Sequence, residues 1–275
     1  MDLQLGRAIS EIKGRRAAVV GLQVPEGLRT RARTMAREIE EATGSRVLIM
    51  GDPCYGACDL RTPAGVDMLV HVGHAPMPDL GPVLPTIFLE VRMDFDVVRG
   101  LSDNAGLLRS KVGLVATAQH VHLLPQAVQA LDALGIKAVV GKGDRRTASP
   151  GQVLGCNVTS ALAIMDQVEQ FVFLGSGYFH PLAVALGTGL PVLSMDPYRG
   201  AVVDLEEARE KVMRQRYAAM AKARDARDWM VIVCDKPGQR RDPVALRCQE
   251  HLRERGMAAD LVLLNEVRPE ALMAY

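Results

Sequence analysis

An α/β fold of repeated β-α-β units is predicted by three features of the sequence. Short apolar runs recur, each followed by a loop and then by apolar residues at helical spacing. A glycine closes each helical stretch, and a further apolar run comes next. This order of elements occurs between residues 17 and 91, again between 112 and 195, and starts a third time at Met230. Such units lay down parallel sheets flanked by helices. The prediction is three pseudo-repeated β-α-β domains with parallel sheets around a central cleft, spanning 1–98, 99–203 and 204–275. The third is incomplete at its C-terminal end.

In the first unit, Ala17 to Val20 reads as a strand, and a loop with Gln23, Pro25, Glu26 and Gly27 follows. Leu28 to Ala42 carries apolar residues at 28, 32, 35, 36, 39 and 42, a helical stripe that Gly44 ends. Arg46 to Met50 is the next strand, and Val66 to Gly73 and Thr86 to Val91 are two more. The second unit repeats this. Val112 to Ala116 is a strand, the loop holds Gln119, His120 and His122, and Leu124, Val128, Leu131 and Leu134 form the stripe closed by Gly135. Lys137 to Val140, Val168 to Gly175 and Val192 to Met195 are its further strands. Between units two and three, Asp204 to Asp228 is rich in Glu, Arg, Lys and Ala. It reads as a solvated helix with Asp204 as N-cap. In the third unit, strands Met230 to Val233 and Ala259 to Leu264 flank a helix. Its inward face is expected to carry Ala245, Cys248 and Leu252.

Composition excludes several function classes. A 275-residue chain that is 48% hydrophobic and 24% charged has the make-up of a globular protein. A net charge of +1 gives no overall electrostatic footprint for direct nucleic-acid binding. The apolar runs are too short to cross a bilayer, so no membrane association is expected. The N-terminus, Met1 to Arg7, lacks a signal-peptide core, which points to the cytoplasm. Five cysteines, an odd number, argue against a disulfide framework and for metal or redox use.

The chemistry concentrates at strand ends, where open α/β sheets build their sites. Gly51-Asp-Pro-Cys-Tyr-Gly-Ala-Cys-Asp59 follows one strand and Gly155-Cys-Asn157 follows its counterpart. Two strand-loop-cysteine units suggest ligands converging on one centre; the alternative is two unrelated buried thiols. A 4Fe-4S cluster held by three thiolates leaves one iron open. Structural zinc prefers paired Cys-x2-Cys ligands, which this chain lacks. His71 and His74 read either as residues lining the mouth of the cleft or as metal ligands. Gly175-Ser-Gly177 reads as an adenosine- or phosphate-type loop or a tight turn. Lys236 to Arg241 offers three cations for a carboxylate or phosphate, or is a solvated loop.

Taken together, Val24-Pro-Glu-Gly-Leu28, Tyr55-Gly-Ala-Cys-Asp59, His71-Val-Gly-His74, Gly151-Gln-Val-Leu-Gly-Cys156, Gly175-Ser-Gly-Tyr-Phe-His-Pro181 and Lys236-Pro-Gly-Gln-Arg-Arg241 make the chain resemble the archaeal diphthamide-biosynthesis family of 2-(3-amino-3-carboxypropyl)histidine synthases. The resemblance covers nearly the whole chain, with its motifs in order. It implies three similar domains around a 4Fe-4S cluster, one cysteine from each, with Cys58 and Cys156 as the first two metal ligands. The family's third cysteine lies in a Thr-Ala-Cys-Pro segment after the helix that here would include Arg268 to Ala274, and the sequence stops before it.

The resemblance further implies a non-standard radical reaction. An aminocarboxypropyl transferase moves that group from S-adenosylmethionine to a histidine of elongation factor 2 and releases methylthioadenosine. It implies a homodimer served by an electron donor. On this reading S-adenosylmethionine lies among Gln23, Pro25, Glu26 and Gly27, then Gly175, Ser176, Gly177 and His180, then Lys236, Gly238, Gln239, Arg240 and Arg241. The alternatives are a quinolinate synthase-like 4Fe-4S enzyme and a non-catalytic subunit that binds the elongation factor.

Overall fold

Leucine- and valine-rich strands joined through helices form two sheets and a separate strand pair in the computed structural model, which describes residues 3–79, 81, 84–196, 201–273 and 275. The chain divides into two units, Met1–Arg209 and Glu210–Tyr275.

In the first unit, α1 (Leu5–Arg15) precedes β1 (Val19–Gln23), and α2 (Ala32–Thr43), β2 (Arg46–Ile49), β3 (Met68–Val72) and β4 (Thr86–Leu89) follow. These strands form a wholly parallel sheet in the order β2-β1-β3-β4. After α3 (Val97–Asp103) come β5 (Lys111–Ala116), α4 (Leu124–Ala133), β6 (Lys137–Val139), α5 (Thr159–Leu162), β7 (Gln170–Leu174), α6 (Phe179–Thr188), β8 (Val192–Asp196) and β9 (Ala201–Asp204). They build a second sheet in the order β6-β5-β7-β8-β9, in which only β9 runs antiparallel. The parallel strands of the second sheet thus repeat the order of the first.

Helix α2 shows how sequence becomes packing. Ala32, Met35, Ala36 and Ile39 are buried at i, i+3, i+4 and i+7, the stripe that places one helix face on a sheet. Burying a side chain such as Ile39 is worth about 1.5–3 kcal/mol. Gly44 then takes φ 73 and ends the helix. The core of the first sheet joins this face to α1 through Ile12 and to the strands through Leu22, Val70 and Leu89. The second sheet is packed on both faces, with Leu114 and Leu131 in one cluster and Phe171, Phe173 and Val184 in the other.

Several predicted bounds move. The helix expected from Leu28 begins at Ala32, because Glu26–Arg31 winds as a tighter 3-10 turn after Pro25. The first strand runs Val19–Gln23, so Gln23 is its last residue and not a loop residue. Its ladder continues because Gly21, Leu22 and Gln23 pair with Leu69, Val70 and His71. Leu134 is exposed at the end of α4, where Ala127 and Ala130 complete the buried face.

In the second unit, α7 (Glu206–Ala223), which starts at the end of the first, has no buried residue, as its charge content predicts. Asp204 ends β9 and stands one residue before the N-cap position expected of it, which Leu205 takes by accepting the Arg209 N–H at 2.8 Å; Asp204 Oδ1 still accepts the Glu206 N–H at 2.9 Å. β10 (Asp228–Cys234), α8 (Asp242–Glu254) and β11 (Ala258–Leu264) follow, with the two strands parallel. Short α9 (Pro269–Leu272) falls within the predicted last helix, whose Ala274 lies outside the described residues. Cys248 is exposed, contrary to the expected inward stripe. The face of α8 that meets the strands is set by buried Ala245, and by Gln249 and Arg253, whose side chains donate to the Ala259 carbonyl at 2.9 and 2.6 Å. Cys248 therefore stands to one side of the contact line.

Candidate functional site

Both sheets of the first unit have a switch point where successive connections leave in opposite directions, between β1 and β3 and between β5 and β7. Ligands of open α/β sheets bind outside the carboxyl ends of strands at such points. Gln23 ends β1 and is register partner to His71 near the end of β3. Gly175 follows β7, and Thr117 follows β5.

The first switch point holds a buried polar network. Gln23 Nε2 donates to the Asp59 carbonyl at 2.8 Å, and its Oε1 lies 2.9 Å from His71 Nδ1. His71 Nε2 lies 3.0 Å from His74 Nδ1. Asp59 Oδ2 accepts the Tyr55 N–H at 2.7 Å, and the Asp59 N–H donates to the Gly56 carbonyl at 3.0 Å. These bonds hold the 3-10 turn Ala57–Asp59 that carries half-buried Cys58. Gly73 stands between the two histidines at φ 85, and a Cβ there would lie 2.9 Å from the Pro25 ring. A non-glycine residue would be strained by both. Gln119 Nε2 donates to the Gly73 carbonyl at 2.5 Å and ties the loop after β5 to the loop after β3.

Burial lowers the pKa of His71 to about 3, with His74 adding to the effect. Burial lowers His74 to about 4, partly opposed by Asp59 and reinforced by His180. Burial also lowers His180, whose ring stacks on Phe173 at a centroid distance of 6.3 Å. All three imidazoles are thus neutral near pH 7 and have a lone pair to offer.

Cys156 lies exposed in a tight turn, closed by Leu154 N–H to Asn157 carbonyl at 2.8 Å and the reverse bond at 3.1 Å. Asn157 Nδ2 donates to Asp144 Oδ1 at 2.8 Å. Asp144 is held down near a pKa of about 2, first by its hydrogen bonds to Arg146. The Arg146 cation in turn senses Cys156. A thiol beside a cation at the end of a clamped turn suits thiolate ligation.

Other predicted site residues are placed as follows. Pro25 is half-buried, while Glu26 and Gly27 are exposed, with Glu26 paired to Arg29 at 2.9 Å. Gly175 is buried, Ser176 and Gly177 are exposed, and Gly177 has φ 77. In the second unit Lys236 is buried with its Nζ 4.0 Å from Glu266, and the Gln239 N–H closes a turn on the Lys236 carbonyl. Gly238 takes φ 74 there. Arg240 is paired with Asp242 at 2.8 Å and Asp235 at 3.1 Å, and Arg241 occupies the N-cap position of α8 without a side-chain capping bond. Cys234 lies half-buried at the end of β10.

The structure therefore brings Gln23, Asp59 and the two histidines together and places His180 within electrostatic reach of His74. The sequence reading missed the role of Asp59. The missed signal was register: Gln23 and His71 are 48 residues apart yet adjacent across a ladder.

His120, at the second switch point, is 2% exposed, with Nδ1 at 3.1 Å from Thr117 Oγ1 and no partner for Nε2 among the described residues. Burial lowers its pKa to about 4. His122 lowers it further, while Asp196 and Asp94 oppose the shift; the Phe95 ring packs edge-on against it. Between about pH 6.5 and about 4 the unfolded chain takes up a proton at this position that the native chain does not. Stability therefore falls as the pH drops through that window, by about 1.4 kcal/mol per tenfold difference in proton affinity. Denaturant melts at pH 7 and pH 5 should show His120→Gln losing less stability than the parent over this interval; equal losses would show that His120 does not contribute.

The family model described as "Putative diphthamide synthesis protein" matches residues 24–275. A 2-(3-amino-3-carboxypropyl)histidine synthase of Pyrococcus horikoshii is 38% identical over 284 residues, which cover 100% of this chain and 80% of that protein. Subunit 1 of the mouse enzyme is 32% identical, over 98% of this chain and 63% of its own length. Two crystal structures of Dph2 from Pyrococcus horikoshii, one with a 4Fe-4S cluster, superimpose with a TM-score of 0.90 at 37% identity. The match covers 100% of this chain and 81% or 82% of those chains.

Proposed function

Because this chain belongs to the diphthamide synthesis family, we propose that it transfers the 3-amino-3-carboxypropyl group of S-adenosylmethionine to a histidine of elongation factor 2, the first step of diphthamide synthesis. The sulfur–carbon bond to the aminocarboxypropyl group breaks, a carbon–carbon bond forms on the imidazole ring, a ring proton is lost and methylthioadenosine leaves. The observation that carries this reading is the placement of Cys58 and Cys156. Each sits on a hydrogen-bonded turn in the loop that follows a strand of a parallel sheet, Cys58 half-buried and Cys156 exposed.

These residues fit a 4Fe-4S cluster as two of its thiolates. When bound, the cluster supplies an electron and an open coordination position. The protein's own part is binding and orientation. Gln23 and Asp59 hold the Cys58 turn rigid. Gly175 and Gly177, with Ser176 between them, bring bare backbone to the start of α6, which suits a carboxylate or a ribose hydroxyl. His180 stands beside them as a neutral hydrogen-bonding group. Pro25, Glu26 and Gly27 follow Gln23 on the 3-10 turn after β1. In the second unit, Lys236, Gly238, Gln239, Arg240 and Arg241 form a loop whose cations suit the co-substrate carboxylate.

We retain the threefold repeat and the divisions 1–98, 99–203 and 204–275 as part of the proposal. They are supported by the shared strand order of the two sheets and by β10-α8-β11 repeating the β-α-β pattern. A homodimer, an electron donor, a radical course and a cytoplasmic setting complete it. No described helix is long and apolar enough to cross a membrane.

The test is transfer itself. Anaerobically reconstituted protein, with a reductant, S-adenosylmethionine and elongation factor 2, should release methylthioadenosine and add one aminocarboxypropyl group to the factor. Release of methylthioadenosine without modified factor would refute the transfer. For the loop of the second unit, Arg241→Ala should weaken S-adenosylmethionine binding about tenfold, the loss of one charge-assisted hydrogen bond. Arg240→Ala should act less, since Arg240 already serves two carboxylates. Unchanged affinity in both would remove this loop from the proposal.

A further inference from the structure

We propose that Cys54, His71 and His74 form a second metal site, separate from Cys58 and Cys156, for one divalent ion of the zinc class. One ligand atom from each of the three residues lies within 4.8 Å of the other two. Cys54 is 2% exposed, His71 is fully buried and His74 is half-buried, so two of the three ligands lie in the interior and the third stands at its edge.

The architecture builds it from three neighbouring strands. Cys54 lies on the loop after β2, His71 is in β3, and Gly73 at φ 85 turns the chain so that His74 faces His71. β1 supplies the orienting group. Gln23 Nε2 donates to the Asp59 carbonyl, which sets the amide so that Oε1 faces His71 Nδ1 at 2.9 Å. His71 therefore donates from Nδ1 and keeps its lone pair on Nε2, aimed at His74 Nδ1 at 3.0 Å. A ligating histidine almost always has such an outer partner on its second nitrogen, and the partner fixes which nitrogen meets the metal.

The donor set selects the ion. One thiolate and two imidazoles suit zinc and its neighbours and not magnesium or calcium, which take oxygen. Three protein ligands leave a fourth position for water or a substrate atom. On binding, the Cys54 thiol, now directed at the Gly56 carbonyl at 3.9 Å, releases its proton to solvent. The proton between the two histidines moves to His74 Nε2, which frees Nδ1 for the ion. Asp59 stays outside the ligand set, since its carboxylate serves the Tyr55 N–H, but its charge lies on the same network. This site does not depend on the transfer reaction proposed above.

The probe is Co2+, titrated anaerobically into the full chain carrying Cys58→Ser and Cys156→Ser, so that no cluster forms. One equivalent should bind, with a thiolate-to-cobalt charge-transfer band and tetrahedral ligand-field bands, and one equivalent of Zn2+ should displace it. Adding Cys54→Ser, a near-isosteric change, should erase the charge-transfer band. Gln23→Leu should keep the band and weaken affinity about 10–100-fold, as loss of an outer-shell partner does. His74→Gln should weaken binding at least as much. Circular dichroism of each variant confirms that it is folded. A Cys54→Ser protein that binds Co2+ like its parent, or a parent that retains none, overturns the proposal. So does Cys54→Ser in the otherwise unaltered chain if it strips iron and sulfide, since that thiol would then belong to the cluster.

Discussion

Replacing Cys58 or Cys156 by alanine is expected to abolish both the iron-sulfur spectrum and aminocarboxypropyl transfer. A cluster with three thiolate anchors that loses one is left with two irons lacking protein ligands, so the change removes the cofactor and does not merely tune it. The two turns differ in how firmly they are held. The Cys58 turn is clamped from Gln23 and through the Asp59 carboxylate, and the Cys156 turn through the mutual Leu154 and Asn157 bonds and Asp144. Neither set of bonds uses the cysteine side chain, so both variants should fold and melt within about 1 kcal/mol of the parent, as substitutions away from core and network do. Cys248→Ala, on the exposed side of α8, should leave iron content, transfer and stability unchanged. Iron and sulfide per chain, with methylthioadenosine release, decide the matter. Parent-level iron in Cys58→Ala together with loss in Cys54→Ala would transfer the ligand role to Cys54.

Phe171→Ala is expected to produce the largest loss of stability, about 3–5 kcal/mol. The ring is fully buried in β7, directly across the ladder from Gly113 of β5. A Cβ at Gly113 would lie 2.4 Å from the ring edge, so the absent side chain is the space that the ring fills. Ile164 borders the same space, its Cδ1 3.2 Å from that Cβ position. Removing the ring leaves a void that Gly113 has no atoms to close, and the cost grows with the volume left empty. At about 2–4 °C per kcal/mol for a body of this size, the melting temperature should drop by roughly 10 °C. Calorimetry reads this directly, and a drop comparable to that of an exposed control such as Leu107→Ala would contradict the packing described here.

The order of strands, helices and closing glycines determined the α/β class by itself, because apolar runs and helical stripes report which faces must leave water. The same local signals located the cysteine loops at strand ends. They placed Gln23 in a loop and Cys248 on an inward face, and both readings were too local. Gln23 remains in β1 because its backbone has a partner in His71, and Cys248 turns outward because Gln249 and Arg253 reach the Ala259 carbonyl.

The buried network of Gln23, Asp59, His71 and His74 was decided by tertiary structure alone. Its members are polar residues of kinds that usually face solvent, and although His71 lies within an apolar run, nothing along the chain pairs it with Gln23 or Asp59. They are buried because parallel pairing sets β1 beside β3 in a single register, and because each polar atom pulled from water meets another. A buried polar group without such a partner costs about 1–3 kcal/mol. Spacing along the chain carries no record of which residues will supply those partners; only the pairing of the strands does.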